Sequence, residues 1–345
     1  MQPTSSIDHG SFQTAQSSFI TIDLDTILKP IYADLQRFEH DFAGLLHSDI
    51  PLADQVVSYL SRFRGKRLRP SLVLLCARLH GDATLQSLQA SIVVELLHTA
   101  TLVHDDVVDD SDRRRGVPTV NSLWDNKISV LIGDYLFSKI LSALLDLQDK
   151  NALAIFSKTA KEITEGELLQ IERLTDFDLQ ESVYYQLIEK KTASLFIAAC
   201  DLGTLTVDGR PENRNRMCEF GRHFGLAFQI QDDLLDYIGD SSRLGKPTGN
   251  DIREGKITLP LIHAFSCAGQ DEKEEILELF RGGISSNEEV HQVVEFVNRY
   301  EGVGYSLNVA SGHAQAAKAV LAHYPLSKIR ESLEQLVDYS IHREK

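Results

Sequence analysis

The chain has 345 residues and 38.6 kDa, of which 43% are hydrophobic and 25% charged, enough apolar side chain for a sizeable core. Its 50 acidic against 35 basic residues leave a formal charge of −15, which excludes a general nucleic-acid binder. Four scattered cysteines (Cys76, Cys200, Cys218, Cys267) exclude a disulfide scaffold and argue against structural zinc, and no apolar run is expected to reach the roughly 18 residues of an integral membrane span.

Residues 1–22, rich in Ser, Thr and Gln, read as a flexible polar tail ahead of a single domain over 23–345. The tail lacks the basic start and apolar stretch of a secretory signal. It has Asp8 and no Arg, unlike a mitochondrial transit peptide, so the expected compartment is the cytoplasm. From there the pattern is helical. Periodic apolar positions cover 24–46, and Leu85, Leu88, Ile92 and Leu96 stack on one helix face. The same periodicity returns at 131–147, 152–171, 183–202, 217–237, 290–297 and 326–337. Ser286 with Glu289 predicts a capping box. Alternating strands bounded by turns are hard to find, and no linker marks a boundary, so the expected fold is one all-α domain.

Two acidic clusters recur far apart: Asp105, Asp106 and Asp109, then Asp232, Asp233 and Asp236, each reading DDxxD. On a helix the first and third acids lie about 40° apart and the second about 100° from the first, so each trio projects from one side. Asp112 is expected on that side too, about 20° from Asp105. Asp110 is expected to face away, with Arg113 as its surface partner. Three carboxylates within two turns repel one another unless cations are present. A solvated acidic face is the plain alternative for either cluster alone. Both sit inside apolar stretches, where acids without a task are costly. Carboxylates that share an ion with water and phosphate oxygens suit Mg²⁺. Basic residues gather nearby: Lys66, Arg67 and Arg69; Arg113, Arg114 and Arg115; Lys190 and Lys191; Lys246; Lys256. In so acidic a chain they point to anions held jointly by metal and by side-chain cations. No P-loop, GxGxxG on a strand, HExxH or EF-hand loop is present.

The segments GKRLRP, ELLHTATLVHDDVVDDSDRRRG, GDYLFS, EGELLQ, KTASLF, GLAFQIQDDLLDYIGD and LGKPTGNDIREGKITLPLI, in this order, resemble the trans-isoprenyl diphosphate synthases, and within them the bacterial long-chain heptaprenyl and octaprenyl types. The resemblance implies a helical isoprenoid synthase bundle around a deep central cavity, in a homodimer. It implies that the two aspartate trios hold about three Mg²⁺ per active site on an allylic diphosphate primer. Lys66, Arg69, His98 and Arg115 match ligands of isopentenyl diphosphate. Arg114, Lys191, Lys246 and Lys256 match ligands of the allylic diphosphate, and Thr192 and Gln229 match residues facing the developing allylic cation. Thr192 could equally bond its own helix carbonyl, and Gln229 a buried backbone group. Ala100 and Thr101, five and four residues before Asp105, are small where bulky aromatics stop chain growth early, with Leu97 and Val94 beyond them and Phe137 as a bulky candidate for a lower floor. A long product is therefore expected. The alternatives are a short-chain synthase, a class I terpene cyclase and a subunit of a heteromeric synthase.

Overall fold

The computed structural model describes residues 23–62, 65–114, 116–176, 180–238 and 249–343; the expected N-terminal tail, Arg115 and Lys246 lie outside them. The described chain is helical almost throughout: α1 (Leu24–Leu28), α2 (Tyr32–Leu46), α3 (Pro51–Arg62), α4 (Leu68–His80), α5 (Leu85–Val108), α6 (Val120–Leu123), α7 (Asn126–Leu147), α8 (Lys150–Asp176), α9 (Glu181–Ile188), α10 (Ser194–Leu205), α11 (Pro211–Ile238), α12 (Asn250–Arg253), α13 (Leu259–Cys267), α14 (Gln270–Gly282), α15 (Asn287–Arg299), α16 (Gly302–Leu321) and α17 (Lys328–His342). One two-residue hairpin, β1 (Arg113–Arg114) with β2 (Val117–Pro118), pairs antiparallel after α5.

Helix starts follow local chemistry. The Ser286 hydroxyl accepts from the Glu289 amide while Glu289 accepts from the Ser286 amide, the expected capping box. Thr84 and Ser87 make a second one before α5. The periodic stretch 24–46 is not one helix. Pro30 has no amide proton to donate, and a 3₁₀ turn at Lys29–Ile31 breaks it. Asp112 is likewise not on the helix of the first acidic cluster. α5 ends at Val108, Asp110 turns the chain with φ +48°, and Asp112 lies beyond, its carbonyl accepting from the Thr119 amide. Arg113 donates to the Gly116 carbonyl rather than pairing with Asp110.

α10 is the hub of the main core, packed against α4, α5, α8 and α11. Its positions from Ser194 to Thr204 are buried, apart from a half-buried Ile197, so it is buried all round, with the one acid among them, Asp201, paired to Arg214. Phe196, Leu72, Leu75, Leu96, Leu97, Phe220 and Phe224 pack in this core at 2% exposure or less. Close approach depends on Gly203, where a Cβ would fall 2.3 Å from the Val73 carbonyl oxygen. Two smaller cores lie to the C-terminal side. One gathers Tyr237, Phe265, Phe280 and Phe296, and the other Ile188, Ile230, Leu234 and Ile262.

The expectation about membrane spans is qualified, not overturned. α7, at 22 residues, is long and apolar enough by length and composition to cross a membrane. Core helices of soluble proteins pass the same test. α7 buries Ile132, Leu136, Ile140 and Leu144 in the main core and packs along α5. Its other side leaves Leu131, Leu141 and Leu145 exposed.

Gly203→Ala should cost about 2 kcal/mol or more of stability, because the added carbon meets a backbone carbonyl that cannot rotate away. Gly44→Ala in α2, where no atom lies within 4 Å of the new carbon, should instead be neutral or stabilising by up to about 1 kcal/mol. Urea unfolding followed by circular dichroism measures both.

Candidate active site

Both acidic clusters sit at the C-terminal ends of long helices, where the helix dipole adds negative charge to carboxylates that already repel. Asp105 and Asp106 occupy the last turn of α5 and Asp109 is its C-cap. Asp106 is buried and accepts from Arg114 Nε at 2.7 Å, which the hairpin folds back over it. Burial pushes the Asp105 carboxyl up to about 7. The charge of Glu167 on α8 adds to the shift, and Lys191 and Arg114 oppose it. Asp109 is exposed.

In the second cluster each aspartate has its own partner. Asp233 is buried; Tyr184 donates to its Oδ2 at 2.6 Å and Gln229 Nε2 to its Oδ1 at 2.7 Å. Burial, reinforced by the charge of Asp251, raises Asp233 to about 8 despite those bonds. Asp236 accepts from the backbone amides of Asn250 and Asp251 at 2.9 and 3.0 Å, which ties α12 to the end of α11. Asp232 accepts from Arg343 at 2.8 Å.

Lysines lie between the acids. Lys256 sits 2.5 Å from Glu254 and 3.6 Å from Asp251. Burial would lower its pKa, but Asp251, Glu254 and Asp109 of the first cluster together raise it. It therefore feels the first trio directly, through Asp109, and the second only by way of Asp251, which itself feels the charges of Asp236 and Asp232. Lys191 donates to Glu167 at 2.9 Å and Gln170 at 3.0 Å. Lys191 and Thr192 belong to a π-helical turn, Glu189–Ala193, between α9 and α10. Two glycines let neighbouring helices press on that turn. A Cβ at Gly166 of α8 would stand 2.8 Å from the Lys191 amide, and one at Gly225 of α11 would stand 2.6 Å from Ala193 Cα. The Thr192 hydroxyl does not bond back to its own helix. It donates to Gln229 Oε1 at 2.7 Å, so one chain of bonds runs Thr192–Gln229–Asp233–Tyr184.

A second basic group lies on α4 and α5. Arg69 Nη1 and His98 Nε2 are 3.1 Å apart. Arginine can only donate, so His98 accepts there and carries its proton on Nδ1. The Arg69 guanidinium also covers Phe196 at 4.6 Å, and Lys66 Nζ lies 5.3 Å from the Tyr339 ring centre. Arg67, between them, turns inward with φ +52° and pairs with Glu39 at 2.9 Å and buried Glu95 at 2.5 Å. It anchors the segment that presents its two neighbours. Ala100 and Leu97 are buried, and the Thr101 hydroxyl donates to the His98 carbonyl. Phe137 stacks on His104 with ring centres 6.3 Å apart.

The partner residues Glu167, Gln170, Tyr184, Asp251 and Arg343 were not identified as such from sequence; Glu167 and Gln170 lie in the EGELLQ segment, which did carry a signal. A cleft of about 760 Å³ opens beside the π-turn, lined by Lys158, Glu162, Tyr185, Glu189, Lys190 and Asn215 among others. It shares no residue with either trio, so concavity alone does not mark the chemistry here. Among the described residues no three carboxylate, thiol or imidazole groups converge on one ion position. The donor set nevertheless fits hard divalent cations that take part of their coordination from phosphate and water.

Residues 50–297 match the family model of the polyprenyl synthetases. This chain belongs to the polyprenyl synthetase family. As a member it is a prenyltransferase. It is 33% identical over 322 residues to an octaprenyl diphosphate synthase of Haemophilus influenzae, covering 93% of this chain and 98% of that one. It is 37% identical over 284 residues to a short chain isoprenyl diphosphate synthase of Methanothermobacter thermautotrophicus, covering 81% and 87%. Its fold superimposes on the crystal structure of a polyprenyl synthase from Caulobacter crescentus, complexed with calcium and isoprenyl diphosphate, with TM-score 0.88, 34% identity and coverage of 94% and 98%.

The raised carboxyls give a pH signature in metal-free protein. Unfolded, these groups titrate near pH 4; folded, Asp105 does so at about 7 and Asp233 at about 8. The folded state then binds extra protons across that window, so their stabilisation is full below about pH 4 and lost as pH rises through 7 to 8. In EDTA the Tm should fall from about pH 5.5 to about pH 8.5, and Asp233→Asn should flatten the fall. A Tm that rises over that range would contradict it.

Proposed function

We propose that this prenyltransferase is a trans-polyprenyl diphosphate synthase, condensing isopentenyl diphosphate with an allylic diphosphate primer to make a long-chain product in the cytoplasm. The observation that carries the reading is the presence of two carboxylate trios at helix C-termini with lysines close by: Lys191 acts on Asp105, and Lys256 on Asp109 and on Asp251, the acid that feels Asp236 and Asp232. Asp105, Asp106, Asp109, Asp232, Asp233 and Asp236 would hold magnesium, about three ions. When bound, these neutralise the diphosphate that leaves carbon. Arg114, Lys191 and Lys256, with Lys246 beyond the described residues, take the remaining charge of the allylic diphosphate, and Arg115, also beyond them, goes with the isopentenyl diphosphate site.

The Thr192 hydroxyl places its hydrogen on Gln229, which leaves oxygen lone pairs available to a developing allylic cation. Gln229 in turn is fixed by Asp233, so the groups nearest the cation and the metal-holding carboxylates are oriented by one hydrogen-bonded chain. Lys66, Arg69 and His98 bind the diphosphate of isopentenyl diphosphate as a separate site, which a terpene cyclase would not need. Both trios are intact, which argues against a non-catalytic subunit. The exposed apolar side of α7, with Leu131, Leu141 and Leu145, supports a homodimer whose partner covers it. The catalytic unit runs from residue 23 to the C-terminus.

Purified protein given Mg²⁺, farnesyl diphosphate and isopentenyl diphosphate should release a ladder of products ending beyond geranylgeranyl diphosphate. EDTA should abolish it, and turnover retained in EDTA would remove the metal from the reading. Relatives make long and short products alike, so length needs its own test. Ala100, Leu97 and Val94 are all buried on α5. Ala100→Phe should shorten products towards farnesyl or geranylgeranyl diphosphate. An active, folded Ala100→Phe enzyme with an unchanged product distribution would show that length is set elsewhere.

A further inference from the structure

Among the six aspartates, Asp232 takes its partner from farthest along the chain. Arg343 follows α17 as its C-cap, 111 residues downstream of Asp232. Its Nη2 donates to Asp232 Oδ1 at 2.8 Å and to the Phe228 carbonyl at 3.2 Å, and its guanidinium lies flat on the Phe228 ring at 3.7 Å. The Arg343 side chain is 6% exposed, whereas that of Asp232 is 57% exposed. The cation is therefore fixed and dry, and the carboxylate is the part that faces solvent. Phe228 packs against Phe196, and Arg69 also lies over Phe196. The same C-terminal helix carries Tyr339 beneath Lys66. One helix thus touches both halves of the site.

We propose that Arg343 is the resident counter-ion of Asp232, a positioning residue that makes loading of divalent metal at the second cluster depend on the arrival of a diphosphate. The inference rests on the reading of Asp232 as a metal-holding residue. Asp233 and Asp236 are held by neutral donors, Tyr184, Gln229 and backbone amides, which orient a carboxylate and leave its charge in place. Arg343 does something different. A full positive charge bonded to Asp232 lowers that oxygen's basicity and repels an incoming dication across a few ångströms. A diphosphate brings enough negative charge to satisfy both the ion and the guanidinium. Metal and diphosphate then favour one another's binding, as linkage requires. An enzyme built this way does not hold its ions firmly before substrate arrives.

The test is Mn²⁺ binding to the full chain without substrate, read from the EPR signal of free Mn²⁺. Arg343→Gln should bind Mn²⁺ about five- to tenfold more tightly than wild type, since a like charge is removed next to the ion. Arg343→Lys keeps the charge but lacks the planar guanidinium that seats it on Phe228, so its affinity should fall between the two. Inorganic diphosphate should raise Mn²⁺ affinity more in wild type than in either variant. A role confined to packing would lower affinity in both variants or leave it unchanged, and either result overturns the proposal. Should Arg343→Gln not fold, Arg343→Lys still decides the direction. Asp232→Asn separates this proposal from the reading beneath it. If that variant binds Mn²⁺ as wild type does, the metal assignment of Asp232 fails. If it binds weakly while the Arg343 variants match wild type, only the counter-ion proposal fails.

Discussion

Everything in the site depends on crowding negative charge at the negative ends of two helices. α5 and α11 each end in an aspartate trio, and the backbone dipole makes those ends poor places for anions. The fold tolerates this because the surrounding elements bring donors and cations to the same point: the hairpin through Arg114, the π-turn through Lys191, and the segment after α12 through Lys256. Asp105 and Asp233 titrate high chiefly because they are buried, with neighbouring acids adding to the shift. The proposed reaction would use such a site. A leaving diphosphate needs cations more than it needs any nucleophile, and a site short of positive charge recruits them.

The second basic site is built on a different plan. In the GKRLRP segment three cations lie within four positions, and the structure divides them by direction. Arg67 adopts a left-handed backbone and points into a buried pair with Glu95 and Glu39, with the rings of Phe38 and Phe42 beside it. Lys66 and Arg69 are left to face the other way. A buried ion pair is weak evidence for stability, but it is good at fixing which way a segment runs. Lys66 and Arg69, the residues proposed to bind the anion, are thus oriented by a neighbour that points away from them.

What was legible in the sequence was whatever repeats locally. Helical periodicity, the Ser286 capping box and the two DDxxD trios are patterns within a few turns, and local spacing specifies them. What was not legible falls into two groups. Partners such as Arg343 for Asp232, or Glu95 for Arg67, lie 111 and 28 residues away and are brought together only by packing. Local departures from regularity also escaped notice. Asp112 kept the helical angle on paper after the chain had left the helix at Asp110, and Pro30 broke a stretch whose apolar pattern continued across it. The apolar character of α7 was hard to see for a third reason: its few charged residues interrupt the run of letters without making the helix polar.

The π-turn at Glu189–Ala193 has a consequence for how this chain can vary. Such a turn closes with one residue more than an α-helical turn needs, so it is in effect an insertion carried inside a continuous rod. Removing one residue there would let the rod close as a regular α-helix with the register on either side nearly kept, so the change would fall on the turn itself. Lys191, Thr192 and Ala193 would lose the placement that Gly166 and Gly225 are shaped to admit. Substitutions in this segment can be tested one position at a time, but its length cannot drift. A lineage of such enzymes should therefore show gaps in the loops on either side and none here.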